Sequence, residues 1–153
     1  MSVYLNKDTI EAAVRNLITL NSLIEKKFRN TSKEISQTTK EKINKIKEIV
    51  YLKYNQGYKI GCFTASSKGN TLLNCLNFKK KVIQFASENN KKKIGKYTPG
   101  SHIKIISDKD FNKKRIDYAI LLSWNYKKFF LSKTQFIKEG GKFIIPLPAP
   151  HIK

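Results

Sequence analysis

Arginine is scarce in this chain: of 31 basic residues only Arg15, Arg29 and Arg115 are not lysine, although the formal net charge is +20. Proteins that read bases or grip phosphates with two donors at once favour arginine. The lysines are scattered among Asn and Ile along the whole length, a composition bias rather than a built patch. Specific nucleic-acid binding is therefore not expected, whereas incidental attraction to polyanions is. Cysteine is limited to Cys62 and Cys75, too few for the disulfide framework of a small secreted domain. Together with His102 and His151 they show no ligand spacing, so no metal site is expected. No Ser or Cys has an identifiable base nearby in sequence, and no catalytic residue is assigned. Apolar runs fall well short of the roughly 20 residues that span a bilayer. Met1 to Asp8 lacks the basic-then-apolar start of a secretory signal, which makes the cytoplasm the expected location.

Glycine and proline are missing before Gly57, and the first third reads helical. Val3, Ile10, Val14, Leu17, Ile18 and Ile24 recur at spacings near 3.6, with Asn6 as a candidate N-cap. The Ser- and Thr-dense stretch Arg29 to Thr39 marks a break. A second helix is expected from Thr39 to Gln56, with Ile43, Ile46, Ile49 and Val50 as its stripe and Gly57 as its stop. From Tyr58 onward the pattern changes to short apolar runs: 58–64, 81–86, 102–106, 117–123 and 143–147 read as strands. Between them, 70–77 and 125–138 read as helices and 108–112 as a helical turn, with Phe129, Phe130, Thr134 and Ile137 buried on the second helix. Strands alternating with helices imply crossover units and a parallel sheet. The expected fold is an α/β, Rossmann-like three-layer domain of about five mainly parallel strands in the order 3-2-1-4-5. It comprises residues 58–153, after a two-helix extension over residues 1–57.

Four stretches carry chemical information. The turn 64–71 leads from a strand into a helix, where free N–H groups suit a phosphate. Ser66, Ser67 and Thr71 offer hydroxyls, Asn70 stands among them, Lys68 adds a charge, and Gly69 gives room for close backbone approach. The turn is neither of the glycine-rich patterns that bind dinucleotides or nucleoside triphosphates; alone it is equally a small-residue turn with helix caps. Glu88 follows the second strand, where dinucleotide folds place a carboxylate on ribose, or where an ordinary loop glutamate sits. The loop 95–102, with Lys96, Tyr97, Gly100 and His102, suits a lid over a base or sugar, or is a turn into the third strand. Trp124 and Asn125 follow the strongest strand, where they would either stack on a ligand or seal helix to sheet.

Ser67-Lys-Gly-Asn-Thr-Leu-Leu-Asn74, Gly95-Lys-Tyr-Thr-Pro-Gly-Ser-His-Ile103, Asp117-Tyr-Ala-Ile-Leu-Leu-Ser-Trp-Asn125 and Gly140-Gly-Lys-Phe-Ile-Ile-Pro-Leu-Pro148 occur in that order. This series resembles the C-terminal domain of S-adenosylmethionine-dependent nucleotide-sugar C-methyltransferases, which make branched deoxysugars. The resemblance covers Tyr58 to His151, and more loosely the helices before it. It departs at Glu88 and Asn89, where the family has aspartate and a basic residue, and at Ser123, where proline is usual. The resemblance implies a Rossmann-like domain that helps anchor a nucleotide-diphosphate sugar. A zinc-binding region and a donor-binding middle domain with the catalytic base precede it in that family. Nothing before Tyr58 offers a cysteine cluster or a glycine-rich donor loop. No cofactor is therefore expected on this chain, S-adenosylmethionine being implied for a separate methyltransferase half. Two functions remain: a sugar-nucleotide-holding module that works with such a half, or a non-catalytic, lysine-rich interaction protein that keeps the fold without the ligand.

Overall fold

The computed structural model describes residues 7–79 and 81–153. The expected Asn6 cap and the Val3 position lie outside the described residues. In place of two helices there is one, α1 (Lys7–Asn55). The Ser and Thr residues of 29–39 do not break it. Each costs only a few tenths of a kcal/mol of helix propensity, and without Gly or Pro the hydrogen-bond ladder continues. Thr39 Oγ1 donates to Ile35 O at 2.8 Å, a back-bond that keeps its hydroxyl satisfied inside the helix.

Two compact units divide the chain, residues 1–40 and 41–153. In the first, the described side chains lie on the solvent-exposed length of α1 and pair with one another, as in Glu11–Arg15 and Glu25–Arg29. The second holds the sheet. Its elements run β1 (Ile60–Phe63), α2 (Ser67–Leu76), β2 (Ile83–Glu88), β3 (Ile105–Ser107), α3 (Asp108–Lys113) and β4 (Tyr118–Leu121). A 3₁₀ turn (Trp124–Tyr126), α4 (Lys127–Lys133), α5 (Gln135–Lys138), β5 (Lys142–Ile145) and β6 (His151–Ile152) follow.

The sheet order is β3-β2-β1-β4-β5-β6. The first five strands are parallel in the expected order 3-2-1-4-5, and the sixth is an addition. Beyond Pro146, Pro148 and Pro150 the chain turns back, and β6 pairs antiparallel with β5, Ile144 opposite Ile152. The prolines both end β5 and redirect the chain.

Alternation along the central strands builds both faces. Ile60 and Cys62 of β1, with Tyr118 and Ile120 of β4, face Ile46 and Val50 of α1 and Leu72, Leu73 and Leu76 of α2. Phe63, Ala119 and Leu121 face the other way, onto Phe111, Phe136 and Phe143. The rings there meet mostly edge to face, with Phe63–Phe143 centroids 5.1 Å apart. The helix expected over 125–138 is interrupted. Thr134 adopts an extended ψ of 139°, and its hydroxyl bonds Phe130 O at 2.7 Å. The interruption shifts the buried register, so Phe136 is in the core while Phe129 is 59% exposed. Among the described residues, no helix is long and apolar enough to cross a membrane.

Candidate functional site

In an open parallel sheet the strand order reverses between two neighbours, and ligands collect outside the carboxyl ends there. Here those neighbours are β1 and β4. Side chains tie the crevice between them closed. Thr64, with a positive φ of 67°, places Oγ1 2.8 Å from Ser123 Oγ. Ser66 caps α2 by accepting the Gly69 N–H at 3.2 Å, and donates to Leu122 O at 3.1 Å. Asn70 N–H donates to Ser66 O. Among the described residues, the Ser67 and Lys68 N–H groups of this first turn have no partner. They are the open donors that a helix N-terminus offers an anion.

α2 begins at Ser67, earlier than the sequence suggests, so Gly69 lies within the helix. A Cβ there would meet Leu122 Cβ at 2.3 Å. The close approach made by Gly69 is therefore helix against strand; its buried backbone is not offered to a ligand.

Beside this turn, residues 95–105 fold into a small hairpin. Gly95 N–H bonds Ile105 O at 2.9 Å, Ile105 N–H bonds Lys96 O at 2.8 Å, and Thr98 N–H bonds Ile103 O at 2.9 Å. The buried Thr98 locks its tip, accepting the Ile103 N–H at 2.9 Å and lying 2.7 Å from Ser101 Oγ. Between hairpin and α2 lies a cavity of about 360 Å³. It brings together Ser67, Asn70, Lys96 and Tyr97, and adds Lys93, Thr98 and Pro99.

The remaining candidates lie elsewhere. Lys68 and Thr71 are exposed on α2 and do not line that cavity. Gly100 and His102 line a larger groove of about 830 Å³ with Lys79, Lys81 and Lys104, and Tyr97 borders both spaces. A Cβ at Gly100 would lie 2.5 Å from Asn74 Oδ1, so the hairpin tip sits directly on α2. Trp124 packs against both hydrophobic clusters and seals helix to sheet, while Asn125 is exposed.

Glu88 is committed to local structure. Its Oε1 accepts from the N–H groups of Asn89 and Asn90 at 3.0 and 3.2 Å, and its Oε2 binds Lys93 Nζ at 3.0 Å. Lys93 also donates to Ala65 O at 2.9 Å, joining the β1–α2 turn to the segment after β2. Lys93 and Thr98 escape a sequence reading; the only signal for Lys93 is a glutamate five residues earlier. Near Glu88, burial holds the Asp108 carboxyl above its ordinary value, opposed by hydrogen bonds from Ser87 and Asn89.

Chemically, the cavity offers ammonium groups, hydroxyls, an amide and an exposed phenol ring. No carboxylate, imidazole or thiol lines it, so it is equipped to hold an anionic, hydroxyl-bearing ligand rather than to move protons. It fits S-adenosylmethionine poorly. Thr64, Ala65, Ser66 and Ser67 each put a Cβ where a donor loop needs bare backbone, and Leu122 fills the space over Gly69. Burial raises the Cys62 thiol far above its usual value, whereas Cys75 is exposed on α2. Among the described residues, no cluster of His, Cys, Asp and Glu could hold a metal ion.

Comparison with known proteins adds two findings. Residues 3–148 match the family described as C-methyltransferase C-terminal domain. C-methyltransferase NovU of Streptomyces niveus is 33% identical over 108 residues, covering 70% of this chain and 26% of that protein. The chain thus matches about a quarter of that relative's length.

Proposed function

Because the chain belongs to the C-methyltransferase C-terminal domain family, we propose that it holds a nucleotide-diphosphate sugar for methyl transfer in deoxysugar or surface-polysaccharide biosynthesis. The donor, S-adenosylmethionine, is bound by a separate methyltransferase half. The observation that carries this reading is the 360 Å³ cavity, where the first turn of α2 meets Lys96 and Tyr97. The pyrophosphate lies over the open N–H group of Ser67, which lines the cavity, with the Lys68 N–H beside it outside the lining; there the helix dipole favours negative charge. Lys96 adds a charge-assisted contact, typically about 1.5–3 kcal/mol. The Tyr97 ring, 57% exposed, covers the base or the sugar. On this reading the chain alone transfers no methyl group; calorimetry that found micromolar binding of S-adenosylmethionine would contradict it.

The test is a titration with a thymidine-diphosphate sugar, followed through backbone amide shifts. Shifts at Ser67, Lys68, Asn70 and Tyr97 that persist in about 0.3 M salt, where exposed charges are screened, support the reading. Shifts confined to the lysines of α1, or shifts that vanish with salt, would replace it with the lysine-rich interaction protein.

A further inference from the structure

The length of α1 before residue 41 leaves its apolar stripe uncovered. Leu17, Ile24, Phe28 and Ile35 are 57–73% exposed. Little helical stability comes from propensity alone, and most of it comes from packing an amphipathic face. A stripe of this kind therefore needs a cover.

Its spacing says what the cover is. Val14, Asn21, Phe28 and Ile35 stand seven residues apart, and Leu17, Ile24 and Thr31 follow the first three of them by three. That is a 3.5-residue period, the seam of a coiled coil. Lys26, Lys33 and Lys40 share the same seven-residue spacing on the opposite side of the helix, so their charge stays in water. Asn21 is the one amide in the seam. A single asparagine at such a position favours an identical partner at the same height, as in a parallel two-stranded coil. In that arrangement the flanking pairs are Leu20 with Glu25, Lys27 with Ser32 and Glu34 with Thr39, none of like charge. An antiparallel pair centred between Ile24 and Phe28 would instead set Lys27 against Lys27 and Glu25 against Glu25, which charge repulsion opposes.

We propose that residues 11–40 form a parallel, in-register coiled coil with a second copy of this chain, Asn21 meeting Asn21. This is independent of the ligand reading, and the sugar-nucleotide titration probes other residues. The test uses the full chain with Cys75→Ser, at roughly 100 μM, where a micromolar self-association is saturated. Sedimentation equilibrium should give twice the 17.7 kDa chain mass. Phe28→Lys should return the mass to one chain while the sheet amides keep their dispersion. Asn21→Cys should cross-link two chains under mild oxidation, and Lys26→Cys should not. A wild-type monomer at that concentration overturns the proposal, as does a dimer that cross-links through position 26 but not through 21. A monomer that binds vesicles of anionic phospholipid would also overturn it and reassign the stripe to a membrane surface.

Discussion

Gly69→Ala is a small change whose cost follows from one contact. The added methyl would lie 2.3 Å from Leu122 Cβ, 2.9 Å from Ser66 Oγ and 3.0 Å from Leu122 Cγ. Leu122 has no room to retreat: it is 1% exposed, and its carbonyl holds Ser66. Overpacking of this sort costs about 1–3 kcal/mol. Alanine returns up to about 1 kcal/mol of helix propensity, less in a first turn than in a helix interior. The net loss should be about 1–2 kcal/mol, read as a lower urea midpoint at unchanged slope. In thermal unfolding it corresponds to a fall of roughly 5–10 °C for a unit of this size. The contact itself is tested by a double-mutant cycle with Leu122→Gly, which removes the clashing Cβ and alone should cost more than the about 2–5 kcal/mol of a buried Leu→Ala change. In that background Gly69→Ala should become neutral or stabilising, a coupling of about 1–3 kcal/mol. Equal cost of Gly69→Ala in both backgrounds, or a raised midpoint in the wild-type background, would refute the argument that Gly69 is there for Leu122.

Three further outcomes follow from the same geometry. Glu88→Gln removes the charge that holds Lys93 and should cost about 1–2 kcal/mol in urea unfolding; sugar-nucleotide affinity should fall with it, since Lys93 lines the cavity. Asp108 and Asp110 should give pH slopes of opposite sign. Burial raises the folded pKa of Asp108, so its charge lowers stability as pH rises above the ordinary aspartate value, and Asp108→Asn should abolish that loss. The Ser107 hydroxyl lowers the folded pKa of Asp110, so its contribution is present above the ordinary value and fades as pH falls through the lower one. Urea midpoints of both Asn variants between about pH 3 and 7 check the two signs. Finally, a thiol reagent should label Cys75 rapidly in the native protein and reach Cys62 only on unfolding.

The sheet was legible because its signal is redundant. Each of β1 and β4 is apolar on both faces, which only a buried parallel strand tolerates, and crossover helices of suitable length separate them. The errors lie where one weak local signal competes with a cooperative structure. Serines and threonines at 29–39 lower helix propensity, yet with no glycine or proline the hydrogen-bond ladder continues, Thr39 bonds back to Ile35 O, and the helix runs on. At 125–138 the reverse holds: a single threonine, Thr134, ends a segment whose periodicity reads as continuous. β6 is two residues long and depends on pairing with β5, a contact that no local pattern announces.

For the site, topology did most of the work and side-chain detail the least. That the first turn of α2 and the segment after β2 share the carboxyl edge follows from strand order alone, which is why Ser67, Asn70, Lys96 and Tyr97 can be picked without coordinates. Which way each residue of a hairpin faces is not set by strand order. Tyr97 borders both spaces, and Gly100 and His102, a few residues on, belong to the larger groove. Glu88 shows a further limit. A carboxylate after the second strand reads as a ribose ligand, but here Lys93 and two backbone N–H groups already occupy it. Lys93 is hidden for a compositional reason: in a chain where lysine is everywhere, one more lysine carries no information until its partner is known. Its two bonds, to Glu88 and Ala65, link the turn after β1 to the segment after β2. The residue that sequence reasoning passes over thus joins the two segments that carry the candidates it finds.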